Sequence, residues 1–404
     1  WAGMTALINA LPQCTTRLGF ANPTLYSVAA HAGLGGFHDI TVGSNAYLPQ
    51  ANGHYPATTG YDLATGIGTP SATTLVAHTC QPATQLHPLT PVRLLDTRNG
   101  TGGTTGPVAS GHTITLKVRG VGGVPSTATS VVLNLTVTAP TGTGFLTAYP
   151  YGETRPTSSN LNFTPGVTRA NLAVVPIGSN GDISLYNGST GSIQLIADAF
   201  GYNSTTTGST FTTTSPVRVL DTRTGTGAHG PVTAGATVNL QVTGQHGVPV
   251  GATAVVLNVT VTAPTRSGFL TAWPSGTSQP PVSNLNYVAG ETIPNLVVVP
   301  IGSNGKVSIR NSSTGTVQII ADQFGYYTPT AATTLTATTP TRLLDTRSGT
   351  GAPKAAVGPR HTLKVKVSGV GGIPTGIKAI VLNVTETAPT QAGYVTVYPD
   401  GITR

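Results

Sequence analysis

The residues with the clearest chemical potential recur along the chain. Arg93-Leu-Leu-Asp-Thr-Arg98 returns as Arg218-Val-Leu-Asp-Thr-Arg223 and again as Arg342-Leu-Leu-Asp-Thr-Arg347. Each copy sets one carboxylate between two guanidiniums. Such an acid stays ionised, because both neighbours favour its charged form, and it is a poor proton donor. Two roles remain: an ion pair that pins a strand to the next turn, or an acid that holds a ligand. The Thr-Arg-x-Gly-Thr-Gly that follows the Asp in all three copies is turn-rich and favours the pin. A second recurring set is aromatic. Tyr149, Trp273 and Tyr398 each precede a proline, and Phe145, Phe269 and Tyr394 lie four residues earlier, on the same face of a strand. Such a ladder either packs a core or forms a platform for sugars. Core packing of the sandwich is the preferred reading, and variation between Tyr and Trp leans the other way, toward exposure.

The elements that must position these groups are short strands. Asp96, Asp221 and Asp345 are 125 and 124 residues apart, while Asn134, Asn258 and Asn383 in Val-Leu-Asn-(Leu/Val)-Thr are 124 and 125 apart. Two independent landmarks with one period define three copies, and so long a period means tandem globular domains rather than a solenoid. Gly144-Phe-Leu-Thr-Ala-Tyr149 and Ser192-Ile-Gln-Leu-Ile-Ala197 alternate as strands do. Gly-Ser-Asn-Gly at 178–181 and 302–305 is a hairpin turn. The spacing predicts tandem all-β sandwiches or jelly rolls at 90–203, 215–327 and 339–404. Linkers are read at 81–89, 204–214 and 328–338, of which the last two are Thr- and Ser-rich and read as extended and flexible. The third copy is read as incomplete, since Arg404 falls where Arg155 falls in the first. The three Asn residues also sit in Asn-x-Thr sequons, but within apolar strands, and are read as strand residues.

Composition narrows the class. Of 404 residues, 8% are charged and 38% hydrophobic, against about 25% charged in an average soluble domain. That excludes a coiled coil, a long helical bundle and a charged disordered tail. No apolar run approaches the ~20 residues that span a bilayer as a helix. The net charge of +8 is unevenly placed: residues 1–80 hold only Arg17, Asp39 and Asp62. The remaining bases are scattered and form no stripe, which argues against nucleic acid. The pattern suits a sparsely charged exported surface with weak attraction for anionic cell-wall polymers. Both cysteines, Cys14 and Cys80, lie in the first 80 residues without metal-ligand spacing. They form either a disulfide worth roughly 3–4 kcal/mol on a chain-entropy argument or two separate buried thiols. His31, His38, His54 and His78 lack any catalytic or zinc spacing and read as surface or packed residues.

Residues 1–80 differ from the rest. Met4, Leu7, Ile8 and Leu11 follow a helical period. Asn22-Pro23 opens a second helix to about His31, and Thr69-Pro70 opens a last one ending near Cys80. Three helices with little strand cannot bury a core, so the stretch reads as the tail of a larger α/β domain. A chain opening at Trp1, without Met or signal peptide, reads as a fragment or processed product.

Four blocks here carry a resemblance: Trp1-Ala-Gly-Met, Asn22-Pro-Thr-Leu-Tyr26, Phe37-His-Asp-Ile-Thr-Val-Gly43 and Thr59-Gly-Tyr-Asp-Leu-Ala-Thr-Gly-Ile-Gly-Thr-Pro70. In order and spacing they resemble the C-terminal end of the sedolisin serine peptidases, secreted subtilisin-like enzymes with a Ser-Glu-Asp triad. The resemblance implies a remnant of an α/β subtilisin-like domain and a peptide-cleaving parent protein whose triad lies upstream of Trp1. No catalytic residue of that family falls within this sequence. It also implies a Ca²⁺ site built from the carboxylates of Asp39 and Asp62 and the carbonyls of Ile40, Thr58 and Gly60. The donor set is sensible for a hard cation that takes six or more oxygens. Thr58 stands where relatives often have Gly, which a carbonyl ligand tolerates. The alternative is that both Asp residues only cap turns. The Arg-x-Leu-Asp-Thr-Arg units resemble modules appended to secreted actinobacterial proteins; the readings for them are attachment of an enzyme to a surface or polysaccharide, a non-catalytic secreted carbohydrate- or cell-wall-binding protein, or a plain stalk.

Overall fold

A computed structural model describes residues 2–11, 25–26, 29, 36–45, 55–71, 75–76, 84–329, 334–338, 341–371, 373–391 and 393–401. The chain divides into two units, residues 82–340 and residues 1–81 with 341–404.

In residues 1–81 the periodic stretch forms helix α1, Ala2–Ala10, with Ile8 its buried side chain. Ile8 packs with Leu75 in a small apolar cluster flanked by Met4, Leu25 and Phe37. Strands β1 (Phe37–His38) and β2 (Thr69–Pro70) pair antiparallel. Thr69-Pro70 is therefore strand, and the helix expected here appears after it: Leu75 and Val76 are helical, and the Leu75 amide donates to the Ser71 carbonyl at 2.8 Å. Among the described residues of this stretch, no sheet larger than that two-residue ladder forms. Cys14 and Cys80 lie outside the described residues.

The unit 82–340 is built almost wholly of antiparallel strands. The first copy supplies β3 (Gln85–Asp96), β4 (Thr113–Lys117), β5 (Ala128–Thr138), β6 (Gly144–Pro150), β7 (Leu161–Phe163), β8 (Arg169–Pro176), β9 (Asp182–Asn187) and β10 (Gln194–Ser204). The second supplies β11 (Thr210–Asp221), β12 (Thr237–Gln241), β13 (Ala254–Thr262), β14 (Gly268–Pro274), β15 (Leu285–Tyr287), β16 (Ile293–Pro300), β17 (Lys306–Asn311) and β18 (Gln318–Thr328). Copy 1 pairs them as β3-β10-β5-β8 and β4-β9-β6-β7; copy 2 repeats that topology as β11-β18-β13-β16 and β12-β17-β14-β15. Each copy thus closes two four-stranded sheets over one core. In β5 the inward set is Val131, Leu133, Leu135 and Val137, which meets Leu146, Ala148, Ile183 and Leu185 of the facing sheet. Period-two alternation produces that inner face.

The outer face of β5 is also buried. Val132 joins Leu86 and Phe200 of copy 1 and Ala254, Val256, Val282, Val298 and Tyr327 of copy 2 in a separate apolar cluster. The two copies are therefore joined by a core of their own. The segments read as linkers are largely structured: 85–89 belongs to β3 and 210–214 to β11. Leu86 and Ser209 exchange two backbone hydrogen bonds at 2.8 Å each. Thr and Ser suit such an edge as well as they suit a loop, which is why composition misled.

Among the described residues of 341–401 no strand forms, and the one bridge joins Asp345 to Thr350. In the complete copies one of the two central strands of each sheet, β9 or β10, comes from the last part of the copy.

Candidate functional site

The recurrent ion cluster is built where β3 leaves its sheet. Arg93 sits directly across from Asp198 of β10, which in turn sits across from Asn134 of β5. Arg93 donates to both Asp198 oxygens, at 2.8 Å from Nε and 3.2 Å from Nη2, and its Nη1 reaches Asp96 Oδ2 at 3.2 Å. Arg98 forks back on Asp96 at 2.8 and 2.6 Å, and its amide donates to the same carboxylate at 3.1 Å. The Asp96 amide donates to the Thr101 carbonyl, and the Gly100 amide to the Asp96 carbonyl, which closes the turn. Gly102 in that turn has φ +83°, and a Cβ there would run into the Leu94 carbonyl, so only glycine fits.

Charge state follows from these contacts. The Arg98 side chain holds the Asp96 carboxyl below the usual range. In copy 2 the same fork from Arg223 brings Asp221 down to about 2. Asp345 in copy 3 is shifted the same way by Arg347. Asp198 differs: burial pushes it up, against the pull of Arg93 and of the Ser283 amide. Every Asp in the motif is consumed by guanidiniums and amides, so the cluster is a strand-to-turn pin. It offers no free carboxylate for general acid–base work. Asp198 and its counterpart Asp322, which accepts Arg218 at 2.8 and 3.2 Å, complete the cluster and were not singled out from sequence. The signal was present: Ile196-Ala-Asp198 recurs as Ile320-Ala-Asp322 at the common period.

The aromatic set does not form an exposed platform. Tyr149 and Trp273 are buried, at 7% and 6% exposure, and the Trp273 indole N–H donates to the Thr277 carbonyl at 3.1 Å. Tyr398 is half-buried, with its hydroxyl 3.3 Å from Thr362 Oγ1. In copies 1 and 2 the neighbouring sheet and turn cover these rings, whereas Tyr394 of the third copy is exposed. An open groove of 460 Å³ lies over Pro88, Thr243, Val250, Thr253 and Pro300, with no charged residue in its lining.

The Asp39–Asp62 region does assemble. Asp39 Oδ2 accepts the Gly60 amide at 2.7 Å. Asp62 Oδ2 accepts the Thr58 amide at 2.8 Å, and its Oδ1 accepts the amides of Ala64 and Thr65 at 2.9 and 2.7 Å. The Thr65 hydroxyl adds two more bonds. The Thr58 amide leads the contacts that hold the Asp62 carboxyl below its ordinary range. Both carboxylates therefore close on one three-residue loop, Thr58–Gly60, and Ile40 adjoins the first of them. Asp62 thus accepts five hydrogen bonds, the arrangement of a carboxylate that caps a turn. Among the described residues no group of three or more His, Cys, Asp or Glu that could hold a metal ion occurs, in this region or outside it.

No protein-family model and no curated protein matches the chain. Among solved structures it is similar to the tandem CBM22-1-CBM22-2 domain from Paenibacillus barcinonensis Xyn10C, at 10% identity over 59% of this chain and 98% of that one, with a TM-score of 0.18. It is also similar to the coconut allergen cocosin, at 9% identity over 60% and 86%, with a TM-score of 0.15. Likeness at that level fixes neither fold nor function. Among the described residues no helix is long and apolar enough to cross a membrane.

Proposed function

We propose that the chain is the C-terminal part of an exported, calcium-binding, sedolisin-like serine endopeptidase, in which residues 1–80 end the α/β catalytic domain and the repeats carry the enzyme on a surface. The observation that supports this is the closure of Asp39 and Asp62 on the Thr58–Gly60 loop, which brings the two carboxylates to one short segment. When bound, the ion would tie these loops together and add stability by mass action. Asp39 and Asp62 hold the loop by accepting its amides, and a cation would compete with those donors for the Asp62 oxygens. The substrate of the parent enzyme would be a polypeptide, cleaved by residues upstream of Trp1.

Thermal unfolding of the full chain with added calcium or with EDTA tests the site. Calcium is expected to raise the melting temperature and EDTA to lower it. Asp39→Ala and Asp62→Ala should each abolish that response; an unchanged response in both variants removes the calcium assignment.

A second reading takes the repeats as a stalk rather than a polysaccharide binder, and the burial of Tyr149 and Trp273 favours it. Pull-down of the full chain on insoluble cell-wall polysaccharide separates the two. Retention on the wall fraction supports attachment, and complete recovery in the supernatant supports the stalk.

A further inference from the structure

A side chain that fills a groove in copy 1 is absent from the same groove in copy 2. In copy 1 the stem of Arg119 passes over Gly181, where an added Cβ would stand 3.1–3.5 Å from it. Arg119 Nε donates to the Ala128 carbonyl at 2.8 Å, and Nη1 donates to the Ser179 carbonyl at 3.4 Å. Ala128 beneath it has no exposure, and Ile177 beside it is buried.

Copy 2 repeats the backbone that presents these acceptors. The Val118 and Arg119 amides both donate to the Gly181 carbonyl, at 3.1 and 3.0 Å, and the Val242 and Thr243 amides both donate to the Gly305 carbonyl, at 3.0 and 3.1 Å. The Ala128 amide donates to the Pro125 carbonyl and the Ala252 amide to the Pro249 carbonyl, each at 3.2 Å. Ala252 and Ser303 therefore hold the places of Ala128 and Ser179. The side chain is what differs. Thr243 stands where copy 1 has Arg119, and its hydroxyl accepts from Gln241 Nε2 at 3.4 Å instead. Among the described residues no donor reaches the Ala252 or Ser303 carbonyl. The lining of the 460 Å³ groove includes Thr243, Ala252, Ser303 and Gly305, so the groove lies where Arg119 lies in copy 1. Pro88 of copy 1 walls it, with Val250 and Pro300 of copy 2.

We propose that this groove receives the arginine side chain of a partner peptide, with the guanidinium on the Ala252 and Ser303 carbonyls and the methylenes along Pro88, Val250 and Pro300. Copy 1 identifies the occupant, because there the chain itself sets a guanidinium on the same two acceptors. A guanidinium carries a planar fork of donors and no acceptor, which suits two carbonyls that face one space. The groove is open, so a side chain enters while the backbone that carries it stays outside. Lys306, next in sequence to Gly305, holds the place of Asp182 and keeps the affinity for a cation modest. Two hydrogen bonds to neutral carbonyls at an open surface correspond to a Kd of about a millimolar. The site is separate from the calcium site and does not depend on it.

The test titrates the full chain with the peptide acetyl-Gly-Arg-Gly-amide and with its Lys and citrulline versions. NMR follows the amides of residues 252–253 and 302–305. The Arg peptide is expected to shift them, and the other two should bind about tenfold more weakly or less. Thr243→Arg should abolish the response, since the new side chain covers the same carbonyls from within. Arg119→Thr should open the copy 1 groove and add a second set of shifts at residues 128–129 and 178–181. Absence of shifts with the Arg peptide overturns the site. Equal binding of the citrulline peptide also overturns it, in favour of a neutral hydrogen-bonding groove. An undiminished response in Thr243→Arg places the peptide elsewhere. A folded Arg119→Thr chain without the second set overturns the argument from copy 1, and if that variant does not fold, Thr243→Arg decides alone.

Discussion

Replacing Arg93 with Ala is expected to destabilise the full chain by about 3–5 kcal/mol, while the same change at Arg218 costs about 1 kcal/mol. The two residues make the same contacts, at the same distances, so the difference isolates burial. Arg93 holds Asp198, which has no exposure, whereas Asp322 beneath Arg218 retains 24%. Removing Arg93 leaves a carboxylate sealed by copy 2 with the Ser283 amide as its remaining strong donor. Water can replace much of what Asp322 loses. The pH dependence has a definite sign. Burial already raises Asp198 above the ordinary Asp value, and loss of Arg93 raises it further. A folded-state value above the unfolded one means that the folded form binds more protons in the interval between them. Stability in that interval therefore falls as pH rises. The Arg93→Ala penalty should be largest near neutrality and should shrink as the pH is lowered toward the ordinary Asp range. Urea unfolding at about pH 7 and about pH 5 measures both effects. Adding Asp198→Asn to Arg93→Ala should restore most of the loss at the higher pH. Equal costs at Arg93 and Arg218 would show that the copy interface does not seal Asp198.

The repeat structure was legible because it rests on local pattern. Alternation in β5 and β13, the glycine turns and the common period all carry over into strands, turns and two sandwiches of one topology. The ion cluster was half legible. Arg93, Asp96 and Arg98 are close in sequence, but Asp198 enters through strand pairing more than a hundred residues away, which local spacing cannot encode. The aromatic ladder was left open between core and platform for a related reason, and burial of Tyr149 and Trp273 agrees with the core reading. Period-two placement puts Phe145 and Tyr149 on one face, yet whether that face meets solvent depends on the turn that folds over it. Thr277, whose carbonyl takes the Trp273 N–H, is such a residue. The linkers failed because Ser and Thr composition does not distinguish a solvated tether from a sheet edge. What no single copy could disclose is the second use of its sheet. Val132 and Phe200 look like ordinary strand residues facing outward, and only another copy explains why they are apolar.

That second use sets the other large effect. Phe200→Ala is expected to cost about 3–5 kcal/mol, and Phe324→Ala about 1–2 kcal/mol. Both rings hold the same repeat position on the outer face of a central strand. Phe200 is 1% exposed inside the inter-copy core, where deletion leaves a cavity flanked by residues of both copies. Phe324 lies at the margin of that core and keeps part of its surface in water. Cooperativity should change with stability. Copies joined by a continuous apolar core and by the Asn134–Asn295 bond unfold together, since opening one exposes the core of the other. Calorimetry of the full chain should give one main transition for residues 84–329. In Phe200→Ala the coupling falls while each inner core stays intact, so that transition should broaden or split, with van't Hoff enthalpy below the calorimetric value. Phe324→Ala should shift the midpoint and keep one transition. If the two variants lose equal stability and neither splits the transition, the copies fold as separate beads, and the burial of Phe200 is not what couples them.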